Sequence, residues 1–459
     1  MNDITFDYRV GHRIAPDAAP SDFLAKAPYV DNGTDPVPPE GYYSRDYMKL
    51  EWEKVWKKSW IMAGVLADVR EPGDYFKFDV GPESFIIVRG KDDKVRAFYN
   101  VCIHRGLRMV DAAYGSFNER MTCPFHTWSY RLDGGLEFVT DRETFRPEVL
   151  CHAKGLKEVA CEVALGFVFI SMNENPPPLS EHLNIAGEHL AAYKSEDMIV
   201  ARHTRVVMPA NWKAGIDGFI EPYHFHAIHQ QVLPIVDDYN IQIDLYPKGV
   251  SRMLIPQLQP SPRLDDPEAL NEGMQISMLD SGMDVEKFKG DVRAARQEAQ
   301  LARRARAAEL GLDYSGFTDP QLTDSITYAV FPNVVFGCHP EAIMVSIMMP
   351  HPTDPEIHYY DTITLYQRAQ REDGSYVIPR WMAIDENSDL SGEIRPEIEM
   401  FTPDNIENLG ELYAQDVVMI VKIAQGIKSQ SFKGALLGEQ EQRVRHFHAE
   451  IARYMADAG

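Results

Sequence analysis

The sequence predicts an α+β protein in which a compact β domain precedes a mixed region of helices and strands. Short alternating runs broken by Gly and Pro predict the β domain, at residues 75–80, 84–89, 95–101 and 163–172. Three consecutive prolines, at 176–178, form a natural linker after it. Helical and strand-like patterns then alternate to the end of the chain, and this alternation predicts the mixed region.

The elements follow from the spacing of apolar residues. A helix is expected at residues 44–60, ahead of the β domain, and a helical segment at 223–229. Strands are expected at 326–335, 342–349 and 356–366, and amphipathic helices at 406–427 and 439–455. Residues 292–310 are rich in Ala and Arg and predict a helix. This helix is either a solvated surface element or a lid or partner-binding element.

Charge and hydropathy narrow the classes of protein. The 459 residues carry a formal net charge of −23, and a field of this sign repels nucleic acid and anionic membranes. The first residues, MNDITFDYRVGHR, lack the apolar stretch of a secretory signal. The longest apolar run, at 163–172, is too short to cross a bilayer. A soluble, cytoplasmic protein is therefore expected.

Two short motifs each combine a cysteine with a nearby histidine. Five cysteines are too few for a disulfide framework in a chain this long, and the count is odd. Cys102 and His104 form C-x-H, and Cys123 and His126 form C-x-x-H after eighteen intervening residues. Two thiolates can hold one iron of a [2Fe–2S] cluster while two imidazoles hold the other. The alternatives are a Cys2His2 zinc site, whose usual spacing pairs Cys with Cys, and unligated core cysteines.

The loop sequences CIHRG and CPFHTW resemble the cluster-binding loops of Rieske proteins. The C-x-H-R-G form in particular resembles the ring-hydroxylating oxygenases. A respiratory-type Rieske subunit would carry two further cysteines where this chain has Leu107 and Phe125, so that class is excluded. Members of the family commonly have Gly where this chain has Thr127. The departure implies a small change in loop shape and no loss of the cluster.

A second constellation lies at residues 211–229, which read NWKAGIDGFIEPYHFHAIH. Helical geometry alone favours His226 with His229, because residues three apart share a helix face and residues five apart do not. The segment resembles the mononuclear iron motif of Rieske non-haem iron oxygenases, the family of aromatic-ring-hydroxylating dioxygenase alpha subunits. The resemblance implies that His224 and His229 bind the iron through a bulged turn, with His226 as a neighbour.

The third ligand is expected on the predicted helix at 406–427. Asp416 lies there on an apolar stripe, where a carboxylate is costly unless it is paired or binds metal. The segment QDVVMIVKIAQGIKS resembles the family's third-ligand helix, which implies Asp416 as the ligand; an ion pair with a local Arg or Lys is the alternative. Two histidines and one carboxylate leave positions open for dioxygen. The resemblance also implies that Glu221 bridges a cluster histidine of one subunit to His224 of the next, with Asp217 as the alternative bridge.

The resemblance implies an all-β Rieske [2Fe–2S] domain and a helix-grip catalytic domain whose antiparallel sheet is covered by helices. The expected division is an arm and the start of the catalytic domain at 1–45, the Rieske domain with its preceding helix at 46–175, and the mononuclear iron domain at 176–459. The expected function is that of a terminal oxygenase component in aromatic compound catabolism. It would use O2 to hydroxylate, dihydroxylate or oxidatively dealkylate an apolar, aromatic or polycyclic molecule. A non-catalytic Rieske electron-transfer protein is the alternative.

Partners follow from what the sequence lacks. No G-x-G-x-x-G strand–helix fingerprint occurs, so a separate ferredoxin or NAD(P)H-dependent reductase is expected to supply electrons. A homotrimer, with or without a small β subunit, would close the inter-subunit path symmetrically. The candidate docking island is basic: Lys54, Lys57, Lys58, Arg105 and Arg108. The candidate pocket lining, equally consistent with plain core, is apolar: Phe219, Phe331, Val335, Met344 and Met348.

Overall fold

The structure is a computed structural model, and it describes residues 7–379, 382, 384–385 and 388–456. The first six residues of the predicted arm and the last three of the predicted catalytic domain therefore lie outside the described residues. The N-terminal β domain contains the strands β1 Ile61–Val65, β2 Asp74–Val80, β3 Glu83–Arg89, β4 Val95–Tyr99, β5 Tyr114–Ser116, β6 Arg120–Thr122, β7 Ser129–Arg131, β8 Leu136–Phe138, β9 Glu158–Ala164 and β10 Phe167–Ser171. Seven of these form one sheet in the order β1-β10-β9-β4-β3-β2-β5, and β6-β7-β8 form a second.

Most of the predicted β strands agree with the structure to within two residues, but the segment at 163–172 does not. It was expected as one strand, and the structure divides it between the end of β9 and all of β10. Leu165 and Gly166 both have positive φ, 53° and 76°. These angles are typical of the two-residue turn that joins antiparallel strands. The apolar run is therefore a hairpin of two strands, and Gly166 is the residue in the sequence that could have indicated its turn.

A third and larger sheet forms the C-terminal part of the molecule. Its strands are β11 Ile199–Met208, β12 Gln242–Leu245, β13 Ser251–Ile255, β14 Ser325–Val330, β15 Val334–His339, β16 Ala342–Pro350, β17 His358–Tyr366 and β18 Ile398–Phe401. The order is β12-β13-β14-β15-β16-β17-β11-β18. Neighbours pair antiparallel except β11 and β18, which are parallel. The predictions for β16 and β17 agree with the structure, whereas the predicted strand at 326–335 spans the turn between β14 and β15.

The helices are α1 Glu40–Tyr43, α2 Arg45–Glu51, α3 Pro147–Leu150, α4 Leu179–Leu183, α5 Ile185–Leu190, α6 Trp212–Phe219, α7 Phe225–Ile228, α8 Glu272–Asp280, α9 Val292–Ala307, α10 Asp319–Thr323, α11 Glu411–Gly426 and α12 Gln442–Ala456. The predicted helix at 44–60 corresponds to α2, which continues as a π-helical turn at Trp52–Trp56. Its first turn is capped by Ser44, whose side chain accepts a hydrogen bond from the Tyr47 amide at 3.2 Å. No helix in the described part of the chain is both long enough and apolar enough to cross a bilayer.

The prediction of a solvated surface helix at 292–310 is true of only one face of α9. Val292, Ala295 and Ala299 on its other face are buried. Arg296 reaches from the helix to the fully buried carboxylate of Asp324, at 2.6 Å. Burying a carboxylate is costly unless a cation and hydrogen bonds satisfy it, so this contact fixes α9 against the loop before β14.

Helix α6 approaches the large sheet closely because of one glycine. A Cβ atom built on Gly215 would lie 2.7 Å from Nε2 of His358 on β17, which is closer than non-bonded atoms approach. Only glycine therefore permits this separation between helix and strand. The helix begins at the cap residue Asn211, whose Oδ1 accepts a hydrogen bond from the Lys213 amide at 3.1 Å. The segment that follows α6 carries Glu221 and two of the candidate iron ligands, His224 and His229.

The N-terminal arm lies against the large sheet. The carbonyls of Phe23 and Ala25 accept hydrogen bonds from the guanidinium of Arg252, and the amide of Ala27 donates to Asp244 at 2.6 Å. Arg252 and Asp244 are fully buried and form an ion pair at 2.8 Å. A buried pair requires further hydrogen bonds to satisfy it, and the arm provides them. The arm is therefore joined to the C-terminal part of the molecule.

Candidate metal centres

The two Cys/His pairs lie on two loops of the β domain. The first loop follows β4, and the second joins β6 to β7. Each loop is closed by its own backbone hydrogen bond. The Cys102 amide donates to the Leu107 carbonyl at 2.8 Å, and the Cys123 amide donates to the Trp128 carbonyl at 2.9 Å. Both loops are thus held by local contacts, as expected of C-x-H and C-x-x-H motifs.

The loops bring the four candidate ligands to one end of the domain. The two cysteines are buried, each 2% exposed, whereas His104 and His126 are partly exposed. The two imidazole rings lie 4.7 Å apart at 70°, and His104 stacks on Trp128 at 4.6 Å. The arrangement places the thiols inside and the imidazoles toward the surface. The imidazole side would therefore be the side available for electron exchange.

This donor set fits a two-iron cluster better than a single ion. Among the described residues, the one group of three or more His, Cys, Asp or Glu side chains with ligand atoms within 4.8 Å of one another is His224, His229 and Asp416. The loop cysteines and histidines do not converge in this way, so the single-ion geometry of a zinc site is not formed there. Two thiols and two imidazoles spread over a wider space suit a [2Fe–2S] cluster.

The protonation of the loop residues has identifiable causes. Burial raises the pKa of the Cys102 thiol, and a hydrogen bond with the Tyr130 hydroxyl, 3.1 Å from Sγ, opposes this shift. Burial, together with the charges of His126 and Arg105, lowers the pKa of His104, which favours the neutral imidazole that metals bind. Sequence reasoning missed Tyr130. No spacing indicated it, because it reaches Cys102 through the fold of the second loop.

Thr127, the departure from the family pattern, is explained by the backbone. Its φ is 57°, in the left-handed region that favours glycine. The threonine hydroxyl donates to the His126 carbonyl at 2.8 Å and lies 2.6 Å from the Thr140 hydroxyl. These contacts hold a conformation that glycine would adopt at lower cost. A left-handed conformation that favours glycine is therefore held here by a threonine, and the small change in loop shape stays a prediction.

The three residues predicted to bind the mononuclear iron come together between α7 and α11. Nε2 of His229 lies 3.0 Å from Oδ1 of Asp416, and Nε2 of His224 lies 3.7 Å from the same oxygen. The ion pairs that Asp416 makes in the described part of the chain are with these histidines and not with Arg or Lys. Two imidazoles and one carboxylate are the donor set of non-haem iron centres with open positions.

The helical-face argument for His226 assumes a longer helix than the structure contains. Helix α7 is a single turn, with His224 at its N-cap and His229 at its C-cap. Both candidate ligands therefore flank the helix, so the helical face that His226 shares with His229 does not decide which side chains converge. His226 is absent from the convergent group; its ring lies 5.6 Å from that of Tyr223. The expected bulged turn is in fact a short helix bounded by its two histidines.

Glu221 and Asp217 have different partners. Oε1 of Glu221 accepts a hydrogen bond from Nδ1 of His224, and Oε2 accepts one from the His224 amide at 3.2 Å. Asp217 is instead bound by the Tyr42 hydroxyl and by Nε2 of His448, the latter at 3.0 Å. Of the two candidate bridges, Glu221 is the carboxylate that contacts a candidate iron ligand.

The second imidazole has a neutral partner that sequence reasoning missed. Nδ1 of His229 lies 2.8 Å from Oε1 of Gln415, and Nε2 of Gln231 donates to the same oxygen at 2.8 Å. Burial lowers the pKa of His229, but Asp416 and Gln415 outweigh burial and raise it. The signal in the sequence was the position of Gln415, directly before Asp416.

Three aromatic rings form a cluster next to these ligands, named here the aromatic triad: Phe219, Tyr360 and Tyr413. The ring of Phe219 lies 5.0 Å from that of Tyr360 and 5.6 Å from that of Tyr413. Tyr413 precedes Asp416 by one turn of α11. Burial and then the charge of Asp416 raise the pKa of Tyr413, so its hydroxyl is neutral at physiological pH.

The predicted pocket residues divide between this place and others. Phe219 belongs to the aromatic triad, and Sδ of Met344 lies 3.9 Å from the Tyr413 hydroxyl. Phe331 lies elsewhere, with its ring stacked on Tyr454 of α12 at 5.2 Å. Met348 packs beneath Gly215 of α6, and Val335 lies in the core. Phe219 and Met344 are therefore the members of the predicted set that the structure brings toward the candidate iron ligands.

The predicted basic island includes residues in several environments. Lys57 pairs with Glu53 at 2.7 Å, and Lys54 donates to the Met455 carbonyl on α12. Arg105 belongs to the first cluster loop and lies 5.4 Å from the ring centre of Phe125. Docking of an electron donor at these residues stays a prediction, and Arg105 is the member closest in sequence to the cluster ligands.

Comparison with known proteins gives the family. Residues 195–457 match the family model described as the ring hydroxylating alpha subunit (catalytic domain), and residues 59–147 match the Rieske [2Fe-2S] domain. The first match covers more than half of the chain. The chain therefore belongs to the ring-hydroxylating alpha-subunit family of Rieske non-haem iron oxygenases, and the predicted family and fold class are confirmed.

The names of curated relatives specify substrates. The chain is 32% identical over 225 residues to the glycine betaine monooxygenase oxygenase subunit of Chromohalobacter salexigens, covering 49% of this chain and 50% of the relative. It is 34% identical over 210 residues to the carnitine monooxygenase oxygenase subunit of Acinetobacter pittii, covering 45% and 54%. The chain thus spans about half the length of the curated relatives it matches. Their names refer to charged quaternary ammonium compounds and do not support the predicted apolar aromatic substrate.

Solved structures share the fold over nearly the whole chain. A quaternary ammonium Rieske monooxygenase, studied for carnitine oxidation and inter-subunit electron transfer, has a TM-score of 0.65 at 19% identity and covers 92% of this chain and 96% of its own. Naphthalene 1,2-dioxygenase from Rhodococcus sp., with indole bound, has a TM-score of 0.62 at 17% identity and covers 92% and 95%. The same fold thus accompanies substrates of opposite polarity.

The family defines the cofactors. The two matched domains imply a [2Fe–2S] cluster and a mononuclear iron, with O2 as co-substrate, as predicted. The donor sets fit: two thiols with two imidazoles for the cluster, and two imidazoles with one carboxylate for the iron.

Proposed function

We propose that this chain is the terminal oxygenase component of a Rieske monooxygenase system that oxidises an N-methyl group of a small quaternary ammonium compound. The observation that carries this proposal is the aromatic triad beside Asp416. Aromatic faces attract quaternary ammonium groups through their quadrupoles, with a gain of about 0.5–2 kcal/mol. The names of the curated relatives support the same substrate class.

His224, His229 and Asp416 would hold the iron, and the bound iron would supply oxygen activation. The triad would hold the ammonium group and exclude water from it. Tyr360 is nearly fully buried, and burial raises its pKa, so its neutral hydroxyl can donate a hydrogen bond to a polar group of the substrate. A net charge of −23 would draw cationic substrates toward the protein.

The balanced reaction is oxidative N-demethylation. O2, two electrons and two protons convert one N–CH3 group to N–CH2OH and water. The C–N bond then breaks with its electron pair staying on nitrogen, the hydroxymethyl group leaves as formaldehyde, its hydroxyl proton passes to water, and a neutral tertiary amine with one methyl fewer is released. The electrons come from a separate reductase or ferredoxin, since the sequence shows no nicotinamide fingerprint.

Electrons are proposed to pass from His126 of the partner subunit to Glu221 and then to His224. The contact between Glu221 and His224 supports this path. Exposed apolar side chains occur at both ends: Phe125 at the cluster is 55% exposed, and Tyr223 beside Glu221 is 52% exposed. Both side chains are therefore accessible to a second chain. A head-to-tail homotrimer would bury both ends in each contact.

The test is a substrate screen with a reductase and NADH supplied. Carnitine, glycine betaine and choline are compared with naphthalene and indole, and products are identified by mass together with formaldehyde release. Turnover of the quaternary ammonium compounds is expected. Dihydroxylation of naphthalene without N-demethylation would contradict the proposal and restore the apolar substrate class predicted from the sequence.

A matched control isolates the charge. The carbon isostere of choline, 3,3-dimethylbutan-1-ol, keeps the shape of the substrate and removes its cation. Loss of about 1–2 kcal/mol of cation–π attraction predicts a Kd raised about 5- to 30-fold. Equal affinity for choline and the isostere would contradict recognition by the aromatic triad.

The alternative of a non-catalytic electron carrier is separated by iron content. A carrier would hold only the two irons of the cluster, whereas the oxygenase holds a third. The convergence of His224, His229 and Asp416 favours the oxygenase.

A further inference from the structure

We propose that Gln415 is a positioning residue that orients His229 for iron binding and does so without adding charge to the site. The inference rests on the proposed iron site of His224, His229 and Asp416. It concerns the nitrogen of His229 that faces away from that site.

The imidazole of His229 is held between consecutive residues of α11. Nε2 lies 3.0 Å from Oδ1 of Asp416, and Nδ1 lies 2.8 Å from Oε1 of Gln415. The ring is 3% exposed, so water has little access to replace a lost contact. One helical turn thus fixes both the ring's position and its rotation.

The direction of the hydrogen bond follows from ligand chemistry. A neutral imidazole binds metal through a nitrogen lone pair, so Nε2 is unprotonated and the proton resides on Nδ1. Nδ1 therefore donates, and Gln415 must present its oxygen. Nε2 of Gln231 donates to this same oxygen at 2.8 Å. Two donors thus favour the same orientation of the Gln415 amide.

The two candidate histidine ligands are supported differently. Glu221, a carboxylate, accepts from Nδ1 of His224, whereas Gln415, a neutral amide, accepts from Nδ1 of His229. A carboxylate at position 415 would add a further negative charge beside the buried carboxylate of Asp416, which is costly. Gln415, being neutral, orients the imidazole of His229 at a lower electrostatic cost than a carboxylate would. Glu221 then remains the charged contact, and it is the one proposed as the bridge.

The test is the rate at which the mononuclear iron leaves the purified, iron-loaded protein for a ferrous chelator. Gln415→Met keeps the length of the side chain and removes the acceptor. Because contacts to the outer nitrogen of a ligand imidazole change metal affinity about 10- to 100-fold, iron loss is expected to be 10- to 100-fold faster. Gln415→Glu restores an acceptor and is expected to lose iron at least several-fold more slowly than Gln415→Met.

Two further glutamines, Gln231 and Gln230, provide an intermediate variant and a control for the rate of iron loss. Gln231→Met removes one of the two donors that orient Gln415, and iron loss is expected to quicken by about two- to tenfold. Gln230→Met changes an adjacent exposed glutamine and is expected to keep the wild-type rate. In every variant the Rieske absorption reports that the chain has folded. If Gln415→Met does not fold, Gln231→Met decides the question.

The outcomes separate this inference from the proposed function. Wild-type iron retention in both Gln415→Met and Gln231→Met overturns the role of Gln415. Equally fast loss from Gln415→Met and Gln415→Glu also overturns it, because the residue would then only fill space. A wild-type chain that holds cluster iron and no third iron overturns the proposed function itself.

Discussion

The two candidate metal centres of this chain are built in different ways. The candidate cluster ligands lie on two loops of one small domain, and each loop is closed by its own backbone hydrogen bond. The candidate iron ligands are far apart in the sequence, and they meet where α11 packs against α6, which itself lies on the large sheet. The first centre is encoded locally and the second by the whole fold. Changes at one should therefore leave the other intact.

The largest effect is expected at the cluster. Cys102→Ser removes a thiolate that no neighbouring group can replace, so the visible absorption and reduced-state EPR signal of a Rieske cluster should disappear. The mononuclear iron should remain, because its ligands belong to another domain. Cys151→Ser, at an exposed cysteine, is the control and should keep the spectrum. An intact spectrum in Cys102→Ser would refute the cluster assignment.

The next effect is expected at the iron. His224→Ala and Asp416→Ala should each lose the third iron and product formation while the Rieske spectrum is unchanged. The matched control is His226→Ala, which alters the histidine between the two ligands and should keep most of the iron. Loss of iron in His226→Ala with retention in His224→Ala would show that the helical-face choice of ligand was correct. Iron analysis and product yield are measured on the same preparations.

The third effect tests the link between the centres. Glu221→Gln should keep both metals, because the side chain is not expected to be a ligand, and should slow oxidation of the pre-reduced cluster in a single turnover about 10- to 100-fold. Asp217→Asn, one turn earlier, is the control and should react at close to the wild-type rate. The reverse result would make Asp217 the bridge. An active monomer in solution would exclude a path between subunits.

The sequence predicts a centre well when its residues make local contacts, and less well when they meet through tertiary packing. The cluster residues could be read from two adjacent motifs because their contacts are local. His224 and His229 were chosen by resemblance over the geometric preference for His226, since nothing in the local pattern shows that α7 ends after four residues. Gln415 and Tyr130 were missed because each reaches its partner through tertiary packing. The Leu165–Gly166 turn was missed because apolar residues continue on both sides of it.

The smallest effect concerns the junction between the two parts of the molecule. Asp361 on β17 is buried and accepts hydrogen bonds from Arg205 at 2.6 Å and from His203 at 3.0 Å. The Tyr114 hydroxyl of the β domain lies 3.1 Å from Nδ1 of that histidine, so the ion pair extends across the junction. Burial alone would raise the pKa of Asp361, but the charge and hydrogen bonds of Arg205 and His203 outweigh burial and lower it.

Because the folded-state pKa of Asp361 lies below the value of about 4 in an unfolded chain, its carboxylate stabilises the fold above that pH. The contribution declines as the pH falls through the acid range toward the folded-state value. Asp361→Asn is expected to cost about 3 kcal/mol at pH 7, the low end for breaking a buried pair, because the Arg205 side chain that loses its partner is 30% exposed. This cost should shrink between pH 5 and pH 3. Asp313→Asn, which breaks an exposed pair with Lys194, should leave the stability close to that of the wild type at every pH.

Thermal unfolding followed by two signals tests whether the cluster site depends less on this junction than the C-terminal region does. Rieske absorption reports the locally built site, and far-ultraviolet circular dichroism, called here the sheet signal, reports the secondary structure of the whole chain, most of which belongs to the C-terminal region. In Asp361→Asn at pH 7 the sheet signal should be lost at a temperature several degrees lower, and the cluster signal should shift less, because each cluster loop is closed by its own hydrogen bonds. Equal shifts in both signals would show that the β domain depends on the junction as strongly as the iron domain does, and the cluster could then no longer be called a locally encoded site.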